Sequence, residues 1–197
     1  MAVAVEHDKR RKKILEKALA VFMDDGFEGT TFQKIADRCG ITRTILYLYF
    51  KNKREIFTYS IKQLLATVEE SINAIRYDKS LNSTDKIINV LLDIFDHFER
   101  NKQLLSIILD YLLHISKSNV DPELRVRRRT VRLRHILSSL VIEGVKSGEF
   151  KKVNAKTAYD YLYGYVEAAI FQLTVLKRNN LVELRETVAF AVRQMAV

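Results

Sequence analysis

The chain has 197 residues, of which 48% are hydrophobic and 29% charged, and its formal net charge is +9. This composition excludes a disordered chain and suffices for the core of one large domain or two small ones. One Pro and six Gly exclude a turn-rich fold and favour long helices, and the lone Cys39 excludes an internal disulfide.

The positive charge suits an anionic partner. Residues 1–60 carry 12 Lys/Arg against 8 Asp/Glu, and residues 61–197 carry 21 against 16, so the N-terminal third is the more positive per residue. Glu6-His7-Asp8 and five basic residues interrupt any apolar leader, and no uncharged run reaches the roughly 18–20 residues that span a bilayer. The expectation is a soluble protein of a reducing compartment, the cytoplasm, with no membrane partner.

Helical spacing first shows from Lys9 to Asp24, with Ile14, Leu15, Ala18, Leu19, Val21 and Phe22 apolar, and Gly26 is placed to end that helix in a left-handed conformation. Thr30 or Thr31 caps a second helix, with Thr30 and Gln33 at capping-box spacing, and it stops at Gly40. Thr42 caps a third that runs to Phe50. Lys51-Asn52-Lys53 opens a long helix to Arg76, roughly 36 Å, whose stripe is Phe57, Ile61, Leu64, Leu65, Val68, Ile72 and Ile75. Ser83 or Thr84 starts the next, through Phe98, and Leu104 to Ser116 is the most apolar. Asp121-Pro122-Glu123 is a strong helix start, for a helix to about Lys146 ended by Gly148. Asn154 caps a helix to about Lys177, and Asn180 or Leu181 begins the last. Nine helices, no strand and no internal repeat make an all-α fold.

The stretch from Thr30 to Phe57 carries the chemistry. Ile35, Ala36, Ile41, Ile45, Leu46 and Phe50 form an apolar side that packs two short helices around Gly40. Thr42, Arg43, Thr44, Tyr47 and Tyr49 are left on the other side. Arg can bond O6 and N7 of guanine together, Thr offers a hydroxyl to phosphate or a methyl to thymine, and Tyr hydroxyls bond phosphate. Lys51 and Lys53 begin the following helix, where free N–H groups and the dipole favour a phosphate. Tyr47 and Tyr49 also suit half-buried packing. The arrangement points to a helix-turn-helix that reads the DNA major groove.

These residues resemble the DNA-binding head of the tetracycline-repressor (TetR) family of bacterial transcription regulators. The pattern is Ile14-Leu15, Ala18, Phe22, Gly26-Phe27, Thr30, Ile35-Ala36, Gly40-Ile41-Thr42, Leu46-Tyr47, Tyr49-Phe50 and Lys53, about a quarter of the chain. The resemblance implies a homodimer, a palindromic double-stranded DNA operator, and repression relieved by a small molecule. It places Thr31, Gln33, Thr42, Arg43, Thr44, Tyr47, Tyr49 and Lys53 toward DNA. Thr44 stands where the family often has Gly and Tyr49 where it often has His, departures that bear on which operator is bound. Residues 1–52 are expected as the DNA-binding domain and 53–197 as the effector-binding and dimerisation domain.

In the body, Phe95, Phe98, Tyr111, His114, Tyr161, Tyr163 and Phe171 are aromatic residues on apolar segments, candidates for a mostly apolar small-molecule pocket. Plain core is the alternative for each. Arg125, Arg127, Arg128, Arg129, Arg132 and Arg134 are the densest charge cluster, read either as an anion patch or as a solvated face. The last two helices carry apolar residues on more than one face, with small Gly164, Ala168 and Ala169, which suggests a four-helix interface between two copies. Glu-x-x-His and G-x-S-x-G do not occur, the four His are far apart, and the glycines are scattered, so no enzyme, metal or cofactor is expected. The leading function is a ligand-responsive dimeric repressor. A constitutive DNA-binding protein without an effector is the alternative.

Overall fold

The structure, a computed structural model, describes the backbone of residues 2–116 and 122–197 and the side chains of residues 6–113 and 131–197. Among the described residues it is all-α, with nine helices and no strand: α1 Ala2–Gly29, α2 Phe32–Cys39, α3 Arg43–Tyr49, α4 Lys53–Tyr77, α5 Ser83–Arg100, α6 Lys102–Ser116, α7 Pro122–Lys146, α8 Ala155–Thr174 and α9 Val182–Arg193. Met1–Thr67 and Val68–Val197 form two compact units. The packing division falls inside α4, because the first turns of that helix bury Ile56, Phe57 and Ile61.

The first unit closes around Phe22. Ile14, Leu15, Ala18 and Phe22 of α1 are buried with Ile35 and Ala36 of α2, Leu46 of α3 and Phe50. Phe57 meets Phe22 edge-on, with ring centroids 4.8 Å apart, a geometry that suits the ring quadrupoles. The buried Ser60 hydroxyl donates to the Leu15 carbonyl at 3.0 Å and ties α4 to α1. Helix α1 starts at Ala2, upstream of the expected Lys9, since nothing between them breaks a helix. It kinks at Gly26 and runs on to Gly29, and Gly26, at φ 70° and ψ 175°, has the expected positive φ but an extended ψ in place of the left-handed helical one.

Of the neighbouring residues the sequence offered for two helix starts, Thr31 caps α2 and Ser83 begins α5. Thr31, not Thr30, caps α2, accepting from the Lys34 N–H. Thr30 is buried and its hydroxyl donates to the Gly26 carbonyl at 2.7 Å. The Thr30–Gln33 capping box therefore does not form, and the Gln33 amide donates to Asp37 at 2.7 Å instead. Asn82 caps α5 through its side-chain oxygen, while the Glu149 carboxylate accepts from the Ser83 and Thr84 N–H groups at 2.9 and 2.8 Å. One acid from a distant loop thus satisfies two of the donors that a helix start leaves open.

The second unit is a helical bundle. Ile87, Leu91, Ile94 and Phe95 of α5 lie at its centre with Leu137, Leu140 and Val141 of α7, Leu162, Val166 and Ala169 of α8, and Val188 and Val192 of α9. Glu99 of α5 accepts from the Leu181 N–H at 2.6 Å, just before α9, and binds Arg185 at 2.9 Å. Helix α8 stops at Thr174, short of the expected Lys177, which sits at a φ of 54° in the connection to α9. The expected Asp121 cap lies outside the described residues.

Candidate nucleic-acid interface

The turn between α2 and α3 is fixed by three residues. Gly40 ends α2 at φ 68°, ψ 34°, a conformation that a side chain would strain. Its N–H donates to the Asp37 carbonyl at 3.1 Å and the Ile41 N–H to Ala36 at 3.0 Å, which closes the end of α2. Two residues later, Thr42 caps α3 by accepting from the Ile45 N–H at 3.3 Å. Leu46 is fully buried beneath α3, so the opposite face must point outward.

That outward face carries Thr42, Arg43, Thr44, Tyr47 and Leu48, all exposed. The Arg43 guanidinium donates to the Tyr47 hydroxyl at 3.0 Å and lies over its ring. The Tyr47 ring stacks on Phe32 of α2, centroids 4.6 Å apart. Packing thus orders Arg43 and Tyr47 without hiding them. Thr31 is also exposed, and its hydroxyl, already accepting a cap bond, retains a proton to give. Tyr49 is half-buried and stacks on His7 of α1 at 4.6 Å. His7 and Leu48 were missed from sequence: α1 was not expected to reach back to His7, and a leucine on a short helix reads as core.

The start of α4 differs from expectation. Asn52 accepts from the Glu55 N–H at 2.9 Å, and Glu55 returns to accept from the Lys51 N–H at 2.6 Å, so side chains of the protein take two of the N–H groups around this helix start. Lys51 keeps an exposed side chain. Lys53 does not face outward: its ammonium donates to the carbonyls of Phe27 at 2.8 Å and Glu28 at 3.3 Å and lies over the Phe27 ring. A lysine near the end of a helix is a natural donor to the carbonyls of its last turn. At the end of α2, burial pushes the Cys39 thiol up, against the weaker pull of Lys17, away from the reactive thiolate.

A family model of bacterial regulatory proteins, the tetR family, matches residues 14–59, which run from α1 through this helix-turn-helix into α4. Over these residues the chain is similar to the tetR family. The fatty acid metabolism regulator protein of Bacillus subtilis is 23% identical over 163 residues, 80% of each chain. Among solved structures, a TetR transcription regulator from Haloarcula marismortui superposes with a TM-score of 0.84 at 18% identity, covering 96% of this chain and 100% of that one. The Bacillus subtilis regulator FadR, solved in complex with stearoyl-CoA, gives 0.73 at 22% identity, covering 91% and 96%. These two likenesses establish a shared fold along nearly the whole chain.

In the body, the described members of the seven pocket candidates do not converge, and Tyr163 is half-buried against the core. Phe95 is fully buried in the core, Tyr111 is buried and Phe98 is half-buried. Tyr161 and Phe171 are 49% and 51% exposed: they sit on the outer face of α8, whose inner face is the one that buries Leu162, Val166 and Ala169. The His114 side chain, like Arg125, Arg127, Arg128 and Arg129, lies outside the described residues. Arg132 is exposed and pairs with Glu69, and Arg134 lies over the Tyr159 ring, so these two do not share one anion-binding face. The body does contain a compact polar group that sequence reading did not find. The Ser71 hydroxyl donates to Asp93 at 2.5 Å and lies 3.5 Å from His97 Nε2, all three half-buried. Asp93 and His97 are four apart on α5, a spacing visible in the sequence, but Ser71 comes from α4. Among the described residues no three His, Cys, Asp or Glu side chains are grouped to hold a metal ion, and no helix is long and apolar enough to cross a membrane.

The outer face of α8 carries an apolar row beside the exposed Asp160 and Glu167. Tyr161, Gly164, Ala168, Phe171 and Val175 follow one another at steps of three and four, and Val182 and Phe190 of α9 are exposed as well. A Cβ built on Gly164 would meet nothing within 4 Å. The Tyr165 hydroxyl donates to that of Tyr161 at 3.1 Å. Burial, then this bond and the neighbouring phenol, push Tyr165 up to about 12, so this phenol is neutral at physiological pH.

Proposed function

We propose that this transcription regulator is a homodimeric repressor that holds a palindromic operator with α3 and releases it when a small molecule enters the body. The reading is carried by one observation: an ordered Arg43–Tyr47 pair on a helix whose outer face is polar and exposed. Thr31, Thr42, Thr44, Tyr49 and Lys51 surround that pair as phosphate and base contacts, and Lys53 acts by fixing the end of α1. Residues 1–52 serve DNA binding and 53–197 serve effector binding and dimerisation, in the cytoplasm.

Dimerisation is supported by the apolar stripe of α8 with Val182 and Phe190 of α9. Its contiguity suits a self-complementary four-helix contact. In this reading Tyr161 and Phe171 belong to the interface, and Phe95, Phe98, Tyr111 and the Ser71–Asp93–His97 group remain for the effector. A small, largely apolar effector fits such a lining. The fatty-acid regulator and the stearoyl-CoA complex among the similar proteins make long-chain acyl compounds the first class to try. Release requires that the effector bind one arrangement of the body more tightly than the other, with α4 as the continuous element linking body to head.

Anisotropy titration of labelled duplexes from the gene's own upstream region, at low salt, tests the DNA reading. Tight binding of one fragment with a strong salt dependence is the expected result; equal weak binding to every fragment would refute it. One observation favours a second reading, a DNA-binding protein with no effector: Phe95 and Tyr111 are buried as core side chains are. Acyl compounds that neither raise the melting temperature nor release DNA would select it.

A further inference from the structure

The outward face of α3 is two rows, and they differ in chemistry. Residues four apart lie one above the other on a helix. Arg43 and Tyr47 form one row, joined by their hydrogen bond and the ring contact. Thr44 and Leu48 form the other, and it ends in a leucine with 75% of its surface in solvent. A lone exposed leucine elsewhere would need no explanation. This one lies one turn beyond the Thr44 methyl, on the single helix that reads DNA, beside a guanidinium and two more hydroxyls.

We infer that Thr44 and Leu48 form an apolar strip that reads the C5-methyl group of thymine, and that Leu48 is the specificity-determining residue of this second row. The inference rests on the DNA-binding reading above. Thymine is the base whose major-groove edge carries a methyl group, and an aliphatic side chain recognises it by excluding water. The Arg43 row offers donors, which guanine accepts. The operator half-site should therefore hold guanine against one row and thymine against the other, within the span of one short helix. The competing placement sets Leu48 against deoxyribose, where it contacts every sequence alike.

Deoxyuridine separates the two, because it differs from thymidine by that methyl alone. The full-length protein is first used to select its preferred duplex from a randomised pool. Each thymine of the selected half-site is then replaced by deoxyuridine and the dissociation constant measured by anisotropy. One thymine per half-site should prove sensitive, with about a fourfold loss for one methyl, which corresponds to about 0.8 kcal/mol. Leu48→Ala should weaken binding to the thymine duplex and abolish that sensitivity, so that the two changes are not additive. The position is exposed, so folding is not at stake, and the deoxyuridine series on the unaltered protein needs no variant. If no thymine is sensitive, or if Leu48→Ala remains as sensitive as the parent, the inference is overturned while DNA binding stands. If no duplex is enriched, the DNA-binding reading fails and this inference with it.

Discussion

Gly144 offers the sharpest test of how the body is packed. It lies in α7, one turn before the chain leaves the helix, and a methyl group added there would fall well inside contact distance of Cδ2 and Cε2 of Phe150 and 3.0 Å from Cβ of Ser83. In a helix interior, Gly→Ala ordinarily gains about 1 kcal/mol. Here the ring cannot step aside cheaply. Phe150 is buried, its N–H donates to the Gly144 carbonyl at 3.0 Å, and its neighbours bond the C-terminal segment through Lys151 to Met195 and Val197 to Glu149. Displacing it also moves Glu149 off the start of α5. Overpacking of this kind costs about 1–3 kcal/mol, and the lost capping bonds add about 1 kcal/mol. The net expectation for Gly144→Ala is a loss of about 2 kcal/mol, or roughly 4–8 °C in melting temperature for a chain of this length. Thermal unfolding followed by circular dichroism at fixed protein concentration measures it, and Phe150→Leu in the same chain should recover part of the loss. A melting temperature equal to or above the parent's would show that helix propensity wins and that Phe150 is not held as described.

Arg43→Ala should weaken operator binding by about 1–3 kcal/mol, roughly five- to 150-fold, and relax preference at one base pair while leaving the melting temperature unchanged; competition titrations against single-base variants check both. Phe171→Glu places a charge in the middle of the α8 stripe, and light scattering should show monomer at concentrations where the parent is a dimer, with operator affinity falling in parallel. Burial opposes ionisation of Glu149, but its bonds from Thr84 and Ser83 together outweigh this and hold the carboxyl below the ordinary glutamate value. Because the folded value is the lower one, its contribution is complete above the unfolded value of about 4.5 and is lost as pH falls through the folded value. Glu149→Gln should therefore cost about 0.5–2 kcal/mol at neutral pH, and the gap between the two melting curves should close as pH is lowered below that range.

What the sequence disclosed and what it withheld follow from the range of the forces involved. The turn at Gly40 and the cap at Thr42 are local: a left-handed residue and a hydroxyl two positions later fix the geometry whatever surrounds them, and the reading helix could be placed from them. The Thr30-Thr31 doublet left a local ambiguity, since either hydroxyl can cap. It was resolved only by Thr30 finding the Gly26 carbonyl across the kink in α1. In α8 the failure was of another kind. With apolar residues on both faces, periodicity could not tell Tyr161 and Phe171, which face out, from Leu162 and Val166, which face in.

Lys53 shows the limit most directly. Its place at the start of a helix suggested a phosphate ligand, the resemblance placed it toward DNA, and no residue near it in sequence argues otherwise. Its partners are the carbonyls of Glu28 and Phe27, 25 and 26 residues back in the chain, in the last turn of α1. A lysine anchored there holds the end of α1 against the start of α4, and so fixes the floor on which α2 and α3 stand. Lys53→Met should then lower the stability of the head along with operator affinity, by a margin that salt changes little. A pure phosphate contact would instead reduce the slope of affinity against salt by about one and leave the melting temperature alone.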